Sequence, residues 1–297
     1  MLFGVDGGGT RCRARLAEMD GTILAESIGG PANLRLGVDN SMRVVSECAK
    51  QCLRQARLAG REESIVACLA LAGASEPEKL AAARQARYPF RSSVITTDAR
   101  AACIGAHQGG DGGIVIAGTG SIGWAILNGQ EYRVGGWGFP LSDEGSGAWI
   151  GFAALKQVLG AHDGTRDWTD LLKIVFERFD GNAHEIVRWM DHARPAEYAE
   201  LAPIVEAHAQ RGDVVAVDVM SRAATYIEAI CNRLDTLRVS RLCLMGGLAE
   251  SIAPFLSRAR RNRLAPPMGD ALSGALHLAC AEAQRIASLK SEVASHG

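Results

Sequence analysis

The sequence lacks the features of a membrane protein and of a nucleic-acid-binding protein. No apolar run approaches the roughly 20 residues that a membrane-spanning helix needs. The formal net charge is only −1 at pH 7, which gives no electrostatic basis for binding nucleic acid or an anionic membrane. No signal-peptide pattern follows Met1, so we expect a cytoplasmic protein whose partners are small molecules.

The chain also lacks the cysteine spacing of a metal site or a disulfide framework. Its eight cysteines are scattered, and without a secretion signal we expect reduced thiols. Cys48 and Cys52 lie one helical turn apart and could share a ligand, but no second pair accompanies them. The remaining composition, 47% hydrophobic and 22% charged over 297 residues, is typical of a globular protein with two domains.

The first candidate site is a glycine-rich turn at residues 6–10. An apolar run ends there in Asp6, three glycines and Thr10, without the lysine of a P-loop or the spacing of a Rossmann fingerprint. Glycines let backbone amides approach an anion closely, and the Thr10 hydroxyl adds a donor. A carboxylate needs a cation or a water between itself and a phosphate. The stretch therefore indicates Mg²⁺ and a nucleotide phosphate, with a simple hairpin turn as the alternative.

A second stretch at residues 114–121 has the same design. An apolar strand runs into Gly118, Thr119, Gly120 and Ser121, and a further strand-like run follows, as it does after Thr10. Two similar strand–turn–strand segments predict a duplicated domain in which each half offers one phosphate loop. The two loops would hold a triphosphate from both sides.

Periodicity predicts an α/β fold in both halves. The first half has the pattern β–β–β–α–β–α–β–α, with a helix at residues 40–59 and a fully buried strand at 65–72. We predict an N-terminal domain at 1–110 and a C-terminal domain at 111–297. The helical pattern at about 149–210 has no counterpart in the first half and predicts a helical insertion.

Asp98 stands where a β-branched strand meets an Ala-rich helix. An acid at the carboxyl end of a strand in an open α/β sheet lies where such sheets bind ligands, and the helix N-terminus favours its ionised form. A plain helix N-cap is the alternative. Local sequence leaves both interpretations open.

Residues 135–147 form a long irregular stretch with five glycines, Trp137 and two acids. A stretch of this kind between a strand and a helix is usually functional. A flat Trp beside backbone amides and an acid suits a sugar, which presents hydroxyls and apolar C–H faces. Asn33, in an earlier loop, is a candidate for hydrogen-bonding a polar ligand, with turn capping as the alternative.

A buried strand at residues 242–245 ends in Gly246 and Gly247. Bare glycines could let a flat adenine lie against the backbone. A tight turn between a strand and a helix is the alternative.

Four motifs in order, at residues 6–10, 97–99, 118–121 and 135–146, resemble the actin, sugar-kinase and chaperone ATPase superfamily. Within it the chain is similar to N-acetylglucosamine and glucosamine kinases, in the group shared with the activator ATPases of benzoyl-CoA reductase. The resemblance runs from Phe3 to about Ala283. It implies two duplicated actin-like (ribonuclease H-like) α/β domains with a helical insertion in the second.

The resemblance also implies an activity, cofactors and site residues. The activity is ATP-dependent phosphorylation of the 6-hydroxyl of N-acetylglucosamine or glucosamine, with Mg²⁺, by a homodimer. Asp6 would order Mg²⁺ through water, Thr10 and Thr119 would hold phosphates, and Asp98 would be the general base. The other ATP-binding positions would be glycines, namely Gly8, Gly9, Gly118, Gly120, Gly212, Gly246 and Gly247. The sugar would be bound by Asn33, Asp98, Gly136, Trp137, Gly138 and Asp143.

Two alternatives from other classes stay open. An ATP-driven activator of a reductase or dehydratase would need an iron–sulfur cluster bridging two subunits, and no cysteine lies in a motif of that kind. A non-catalytic sugar sensor on the same fold would be expected to carry a DNA-binding extension or to lose the base, whereas this chain has Asp98.

Overall fold

The computed structural model describes residues 1–295. The chain divides into two compact units. Unit 1 consists of Met1–Asp111 together with the chain from Pro267 onward, and unit 2 is Gly112–Pro266. Among residues 1–295, no helix combines the length and apolarity needed to cross a membrane.

Unit 1 is a five-stranded sheet between helices. Its elements are β1 (Leu2–Gly7), β2 (Cys12–Ala17), β3 (Ile23–Gly29), α1 (Val38–Gln55), β4 (Val66–Leu71), α2 (Pro77–Gln85), β5 (Ser92–Thr96), α3 (Asp98–His107) and the last helix of the chain, α12 (Ala271–Ser295). The strand order is β3-β2-β1-β4-β5. The first three strands are antiparallel neighbours, whereas β1, β4 and β5 are parallel.

The two faces of this sheet are covered by different helices. On one face α1 packs so closely on β3 that a Cβ at Gly29 would lie 2.8 Å from the Cys48 sulfur. On the other face α12 packs on β1, where a Cβ at Gly4 would lie 3.0 Å from the Leu272 carbonyl oxygen. The continuous apolar run of β4 is buried throughout because both faces are covered in this way.

Unit 2 has a four-stranded sheet of the same design and a large helical part. Its elements are β6 (Gly112–Ala117), β7 (Ser121–Leu127), β8 (Gln130–Gly135), α4 (Gly147–His162), α5 (Asp170–Glu177), α6 (Ala183–Met190), α7 (Pro195–Ala199), α8 (Ala202–Gln210), α9 (Val214–Thr236), β9 (Leu242–Met245), α10 (Ala249–Ile252) and α11 (Arg258–Arg263). The strand order is β8-β7-β6-β9, with β6 antiparallel to β7 and parallel to β9. Each unit thus begins with an antiparallel three-stranded meander whose first strand pairs in parallel with a later one.

The C-terminal boundary differs from the sequence-based division. That division assigned all of 111–297 to the second domain, but the chain from Pro267 onward belongs to unit 1. The physical reason is the close packing of α12 on α3. A Cβ at Gly105 would lie 1.9 Å from the Asp270 carbonyl oxygen, and one at Gly274 would lie 1.9 Å from the Ala101 carbonyl oxygen. Two glycines therefore let these helices approach backbone to backbone.

We predict that Gly274→Ala destabilises unit 1 by about 1–3 kcal/mol, because the added methyl group has no space at the crossing of α3 and α12. Denaturant unfolding would measure the change. The matched control is Gly30→Ala, since a Cβ at Gly30 meets nothing within 4 Å, and its effect should stay within about 0.5 kcal/mol. Equal stability of the two variants would contradict this account of the helix packing.

Candidate active site

The glycine turn of unit 1 is closed by its own backbone. The Gly8 amide donates to the Arg11 carbonyl over 2.9 Å, and the Gly8 carbonyl accepts from the Ala32 amide over 3.1 Å. Gly9 and Thr10 are exposed at the tip of the turn. The nearest atom to a Cβ built on Gly9 would be the Asn33 amide nitrogen, Nδ2, at 3.7 Å. The tip therefore offers uncrowded backbone of the kind that an anion can approach.

Asp6 forms an ion pair that the sequence analysis missed. Arg13 lies directly opposite Asp6 in the register of β1 and β2. Its Nη2 and Nε donate to Asp6 Oδ2 over 2.7 and 3.2 Å. The alternation of Arg13 and Arg15 along β2 signals one polar face of that strand, but only the strand register shows which acid Arg13 contacts.

Asn33 has the capping role that the sequence left open as an alternative. It precedes a single turn of 3₁₀ helix, Leu34–Leu36, and its Oδ1 accepts from the Arg35 amide over 2.9 Å. Its other polar atom, Nδ2, lies toward Gly9. The carboxamide is therefore held by the turn with its nitrogen beside the phosphate loop. Sugar binding by Asn33 stays a prediction.

Asp98 is not the N-cap of α3. That position is occupied by Thr97, whose hydroxyl accepts from the Arg100 amide over 3.1 Å. Asp98 is the first residue of the helix and is partly exposed, and its Oδ1 accepts from the Ala99 amide over 2.9 Å. Because Thr97 already caps the helix, N-capping does not explain why an acid stands at position 98.

Asp6 and Asp98 lie at the same edge of the unit 1 sheet. Asp6 lies near the end of β1 and Asp98 follows β5. Both strands are parallel to β4, which lies between them. Their carboxyl ends therefore lie at the same edge of the sheet. They are about 10 Å apart, because two interstrand spacings separate β1 from β5. That edge is where open α/β sheets bind ligands.

The glycine turn of unit 2 is tied to the first turn of α4. The carbonyl of Gly118 accepts from the Gly147 amide over 2.8 Å, and that of Thr119 accepts from the Ala148 amide over 3.2 Å. The Ser121 hydroxyl donates to the Glu144 carbonyl over 2.8 Å. Carbonyl oxygens of the turn are thus directed into the protein and held there.

The predicted sugar loop closes on itself. The Ser142 amide donates to the Gly138 carbonyl over 3.0 Å, and the Gly138 amide donates to Asp143 Oδ1 over 3.2 Å. Trp137 at the tip is 72% exposed. The Arg133 guanidinium lies 4.1 Å from the centre of the Trp137 ring and also donates to the carbonyls of Gly135 and Gly136.

Arg133 is a further residue that the sequence analysis missed. A guanidinium over an aromatic face is a favourable cation–π contact, and here the same group fixes the backbone on the N-terminal side of the ring. It has no sequence signal, because an arginine at the end of a strand is common on protein surfaces.

Asp143 joins the two predicted loops of unit 2. A Cβ at Gly120 would lie 2.6 Å from Asp143 Oδ2, so the glycine makes room for the carboxylate. Asp143 itself has a positive φ of 68°, in the left-handed region. The structure thus brings the predicted sugar-binding acid beside the predicted phosphate loop.

Gly246 and Gly247 differ in their surroundings. Gly246 has a φ of 98°, and a Cβ there would lie 2.2 Å from the Ala117 carbonyl oxygen. This glycine is required by the turn against β6, as the alternative interpretation has it. A Cβ at Gly247 meets nothing within 4 Å, which leaves open backbone beside the strand end that leads into Gly118.

Gly212 lies in the turn between α8 and α9, with a positive φ of 84°. The next residue, Asp213, caps α9 through the Val215 and Ala216 amides and also accepts from the Leu171 amide of α5. These hydrogen bonds lower the pKa of Asp213 against the opposing effect of burial, which is the largest single influence. No contact among the described residues joins Gly212 to Gly246, so its place at the adenosine stays a prediction.

The residues present fit Mg²⁺ and ATP. Mg²⁺ is usually held by one or two carboxylates together with substrate phosphates and waters, and Asp6 retains Oδ1 outside its contacts with Arg13. The uncrowded backbone at Gly9 and Gly247 suits phosphate and a flat base, respectively.

Two α/β units whose sheets share the order of four strands, with a glycine turn after the first strand of each, define an actin-like ATPase fold. The chain belongs to the BadF/BadG/BcrA/BcrD ATPase family, whose profile matches residues 3–263. Membership of an ATPase family implies that ATP is used.

Individual relatives cover nearly the whole chain. A glucosamine kinase from Vibrio cholerae is 40% identical over 277 residues, which are 93% of this chain and 94% of the relative. A structure from Chromobacterium violaceum, proposed to be an N-acetylglucosamine kinase, is 35% identical with a TM-score of 0.89 and covers 94% of this chain and 98% of its own. A ROK-family glucokinase from Streptomyces griseus, 18% identical, shares the fold with a TM-score of 0.55 and covers 94% and 97% of the two chains.

We predict that Gly247→Val weakens ATP binding by about tenfold, equivalent to about 1.4 kcal/mol, because the side chain would fill the open space over the backbone. Calorimetric titration with ATP would measure it, and thermal unfolding should be unchanged. Gly246→Ala is the comparison, since its methyl group would meet Ala117 and should lower the melting temperature. Wild-type ATP affinity in a folded Gly247→Val variant would remove Gly247 from the nucleotide site.

Proposed function

We propose that this protein is an amino-sugar kinase that transfers the γ-phosphate of ATP to the 6-hydroxyl of glucosamine or N-acetylglucosamine. The observation that carries the proposal is the placement of Asp98. Asp98 is a partly exposed carboxylate, and it lies at the edge of the sheet where the Asp6 turn also lies. Its carboxylate is not used as the helix cap, because Thr97 is the N-cap of α3. The amino-sugar class follows from relatives that are named for glucosamine and N-acetylglucosamine.

Asp98 would accept the proton of the sugar hydroxyl as the hydroxyl oxygen bonds to the γ-phosphorus of ATP. The bond between that phosphorus and the β,γ-bridging oxygen would break, and ADP would leave. General-base assistance of this kind contributes typically about 10²–10⁴-fold. Most of the remaining acceleration in phosphoryl transfer comes from positioning and charge stabilisation. Backbone amides at Gly9 and Gly120, with the hydroxyls of Thr10 and Thr119, would bind the phosphates. Mg²⁺, held by Asp6 through water and by the phosphates, would supply charge neutralisation when bound.

The sugar would be bound by the loop around Trp137. The exposed Trp137 ring offers an apolar surface for the C–H face of a pyranose. Asp143, and the backbone of Gly136 and Gly138, would bind sugar hydroxyls. Asn33 stays a candidate for hydrogen-bonding the sugar through its Nδ2.

The cysteines argue against an activator ATPase with an iron–sulfur cluster. Cluster ligands are thiolates, whereas seven of the eight cysteines are buried and Cys280 is half-buried. Burial raises the pKa of Cys68 to about 12 and that of Cys231 to about 11. Buried, protonated thiols suit packing at Cys68 and Cys231. Cys48 differs, because a hydrogen bond with the Cys12 side chain lowers its pKa to about 7. An ultraviolet–visible spectrum would reveal a cluster by its brown colour.

From the same resemblance we propose a cytoplasmic homodimer. Light scattering of the purified protein would give the oligomeric state directly.

The proposed activity predicts a narrow substrate range in a coupled assay of ADP release. Glucosamine and N-acetylglucosamine should give turnover, and one of the two should be preferred, whereas sugars without the 2-nitrogen should react poorly. The product should carry its phosphate at the 6-position, which ³¹P–¹H correlation spectroscopy would show. No sugar-dependent ADP release from any hexosamine would overturn the proposal.

For the base, we predict that Asp98→Asn lowers kcat by about 10²–10⁴-fold while ATP binding is preserved. The amide keeps the size of the side chain and its acceptor for the Ala99 amide but cannot take up the hydroxyl proton. The matched control is Thr97→Ala, which removes the actual cap and should cost about 1 kcal/mol of stability with little loss of kcat. Near-wild-type turnover in Asp98→Asn would refute the catalytic role.

A further inference from the structure

Four charged side chains lie on one face of the unit 1 sheet, and the two arginines among them contact a fifth charged residue, Asp270, just before α12. Arg13 is directly opposite Asp6, and Arg15 is directly opposite Glu26. Asp270, the residue before α12, contacts both arginines: its Oδ2 lies 3.3 Å from Arg13 Nη1, and its Oδ1 lies 3.6 Å from Arg15 Nη1. The face of the sheet that bears Asp6 is therefore connected to the start of the last helix by charge pairs.

Asp270 is itself held by α12. Its Oδ1 accepts from the backbone amide and from the hydroxyl of Ser273, both over 2.9 Å. A carboxylate bound by the first turn of a helix is fixed in place. Arg13 is consequently held between two carboxylates: Asp270, which α12 fixes in place, and Asp6.

Arg13 contacts only one of the two carboxylate oxygens of Asp6. Two nitrogens of Arg13 donate to the same oxygen, Oδ2, over 2.7 and 3.2 Å. Because the guanidinium is planar and its donors are fixed relative to one another, this contact sets the rotation of the carboxylate. Oδ1 is the oxygen that Arg13 leaves for other partners.

We propose that Asp270 and Arg13 are positioning residues for Asp6, which orient its Oδ1 toward the Mg²⁺–nucleotide site. The role of Asp6 in this inference rests on the proposed function, and the geometry rests on unit 1 alone. Partners of this kind orient metal-site carboxylates. The guanidinium also offsets a negative charge that would otherwise face the phosphates of ATP.

Arg15 separates this role from simple attachment of α12. It contacts Asp270 as Arg13 does, but its second partner is Glu26 instead of Asp6. If the arginines served only to attach α12, the two would be equivalent. Of these two arginines, Arg13 is the one that contacts Asp6.

The experiment compares Arg13→Met with Arg15→Met in calorimetric titrations of the full chain with ATP at a series of Mg²⁺ concentrations, without sugar. Arg13→Met should raise the Mg²⁺ concentration needed for half-maximal tightening of ATP binding by about 10- to 100-fold. Arg15→Met should leave this requirement within about twofold of wild type. Arg13→Lys, which keeps the charge without the fork, should lie between wild type and Arg13→Met.

Asp270→Asn tests the anchor. Asparagine caps helices about as well as aspartate, so the variant should fold while its hold on Arg13 is weakened. Its Mg²⁺ requirement should rise by about 2- to 10-fold, and Asp270→Asn should add almost nothing in the Arg13→Met background, because the two residues act through one contact.

Two results would overturn the inference. One is a wild-type Mg²⁺ requirement in a folded Arg13→Met variant. The other is an equal rise in Arg13→Met and Arg15→Met, which would assign both arginines to the attachment of α12. Since the readout is nucleotide binding without sugar, it is independent of the kinase assay. A protein that phosphorylates no hexosamine would refute the proposed function and leave this test intact.

Discussion

Beside the glycine turn of each unit, two backbone segments lie so close together that one of them must be a glycine. Both units depend on this close contact. In unit 1, a Cβ at Gly7 would lie 2.8 Å from the Ala32 carbonyl oxygen, and in unit 2 one at Gly246 would lie 2.2 Å from the Ala117 carbonyl oxygen. These contacts accompany matching hydrogen bonds, from the Ala32 amide to the Gly8 carbonyl and from the Leu248 amide to the Ala117 carbonyl. Each turn is therefore fixed at its base. In unit 1 the tip, Gly9 and Thr10, is also exposed, which is the arrangement that an anion-binding loop requires.

Much of this arrangement could be predicted from the sequence because it is local. The switch from alternating to helical periodicity and the glycine turns after apolar strands are signals within short windows. They led to the strand–turn–strand repeat, to the helix at residues 40–59 that the structure has as α1, and to Asp98 at a strand–helix junction. The shared order of strands in the two sheets confirms the predicted fold class.

What could not be predicted involves residues far apart in the chain. The return of the chain to unit 1 after Pro266 depends on the close packing of Gly274 against α3. A glycine inside a predicted helix does not indicate which element the helix packs against. The pairing of Arg13 with Asp6 depends on the register of a hairpin, and its contact with Asp270 spans most of the chain. Charges that look like a solvated strand face become a connected set only through tertiary structure.

The candidate site also shows how structural and functional duties are divided between neighbouring residues. At the start of α3, the Thr97 hydroxyl caps the helix by accepting from the Arg100 amide, and Asp98 beside it remains partly exposed. Asn33 would combine both roles in one side chain under the proposed function, since its oxygen caps a turn and its nitrogen lies toward Gly9. If the proposed roles hold, Asp98 can be changed without loss of the fold, whereas a change at Asn33 would disturb both the turn and the neighbouring glycine loop. Asp98 is therefore the position at which mutation reports most directly on chemistry.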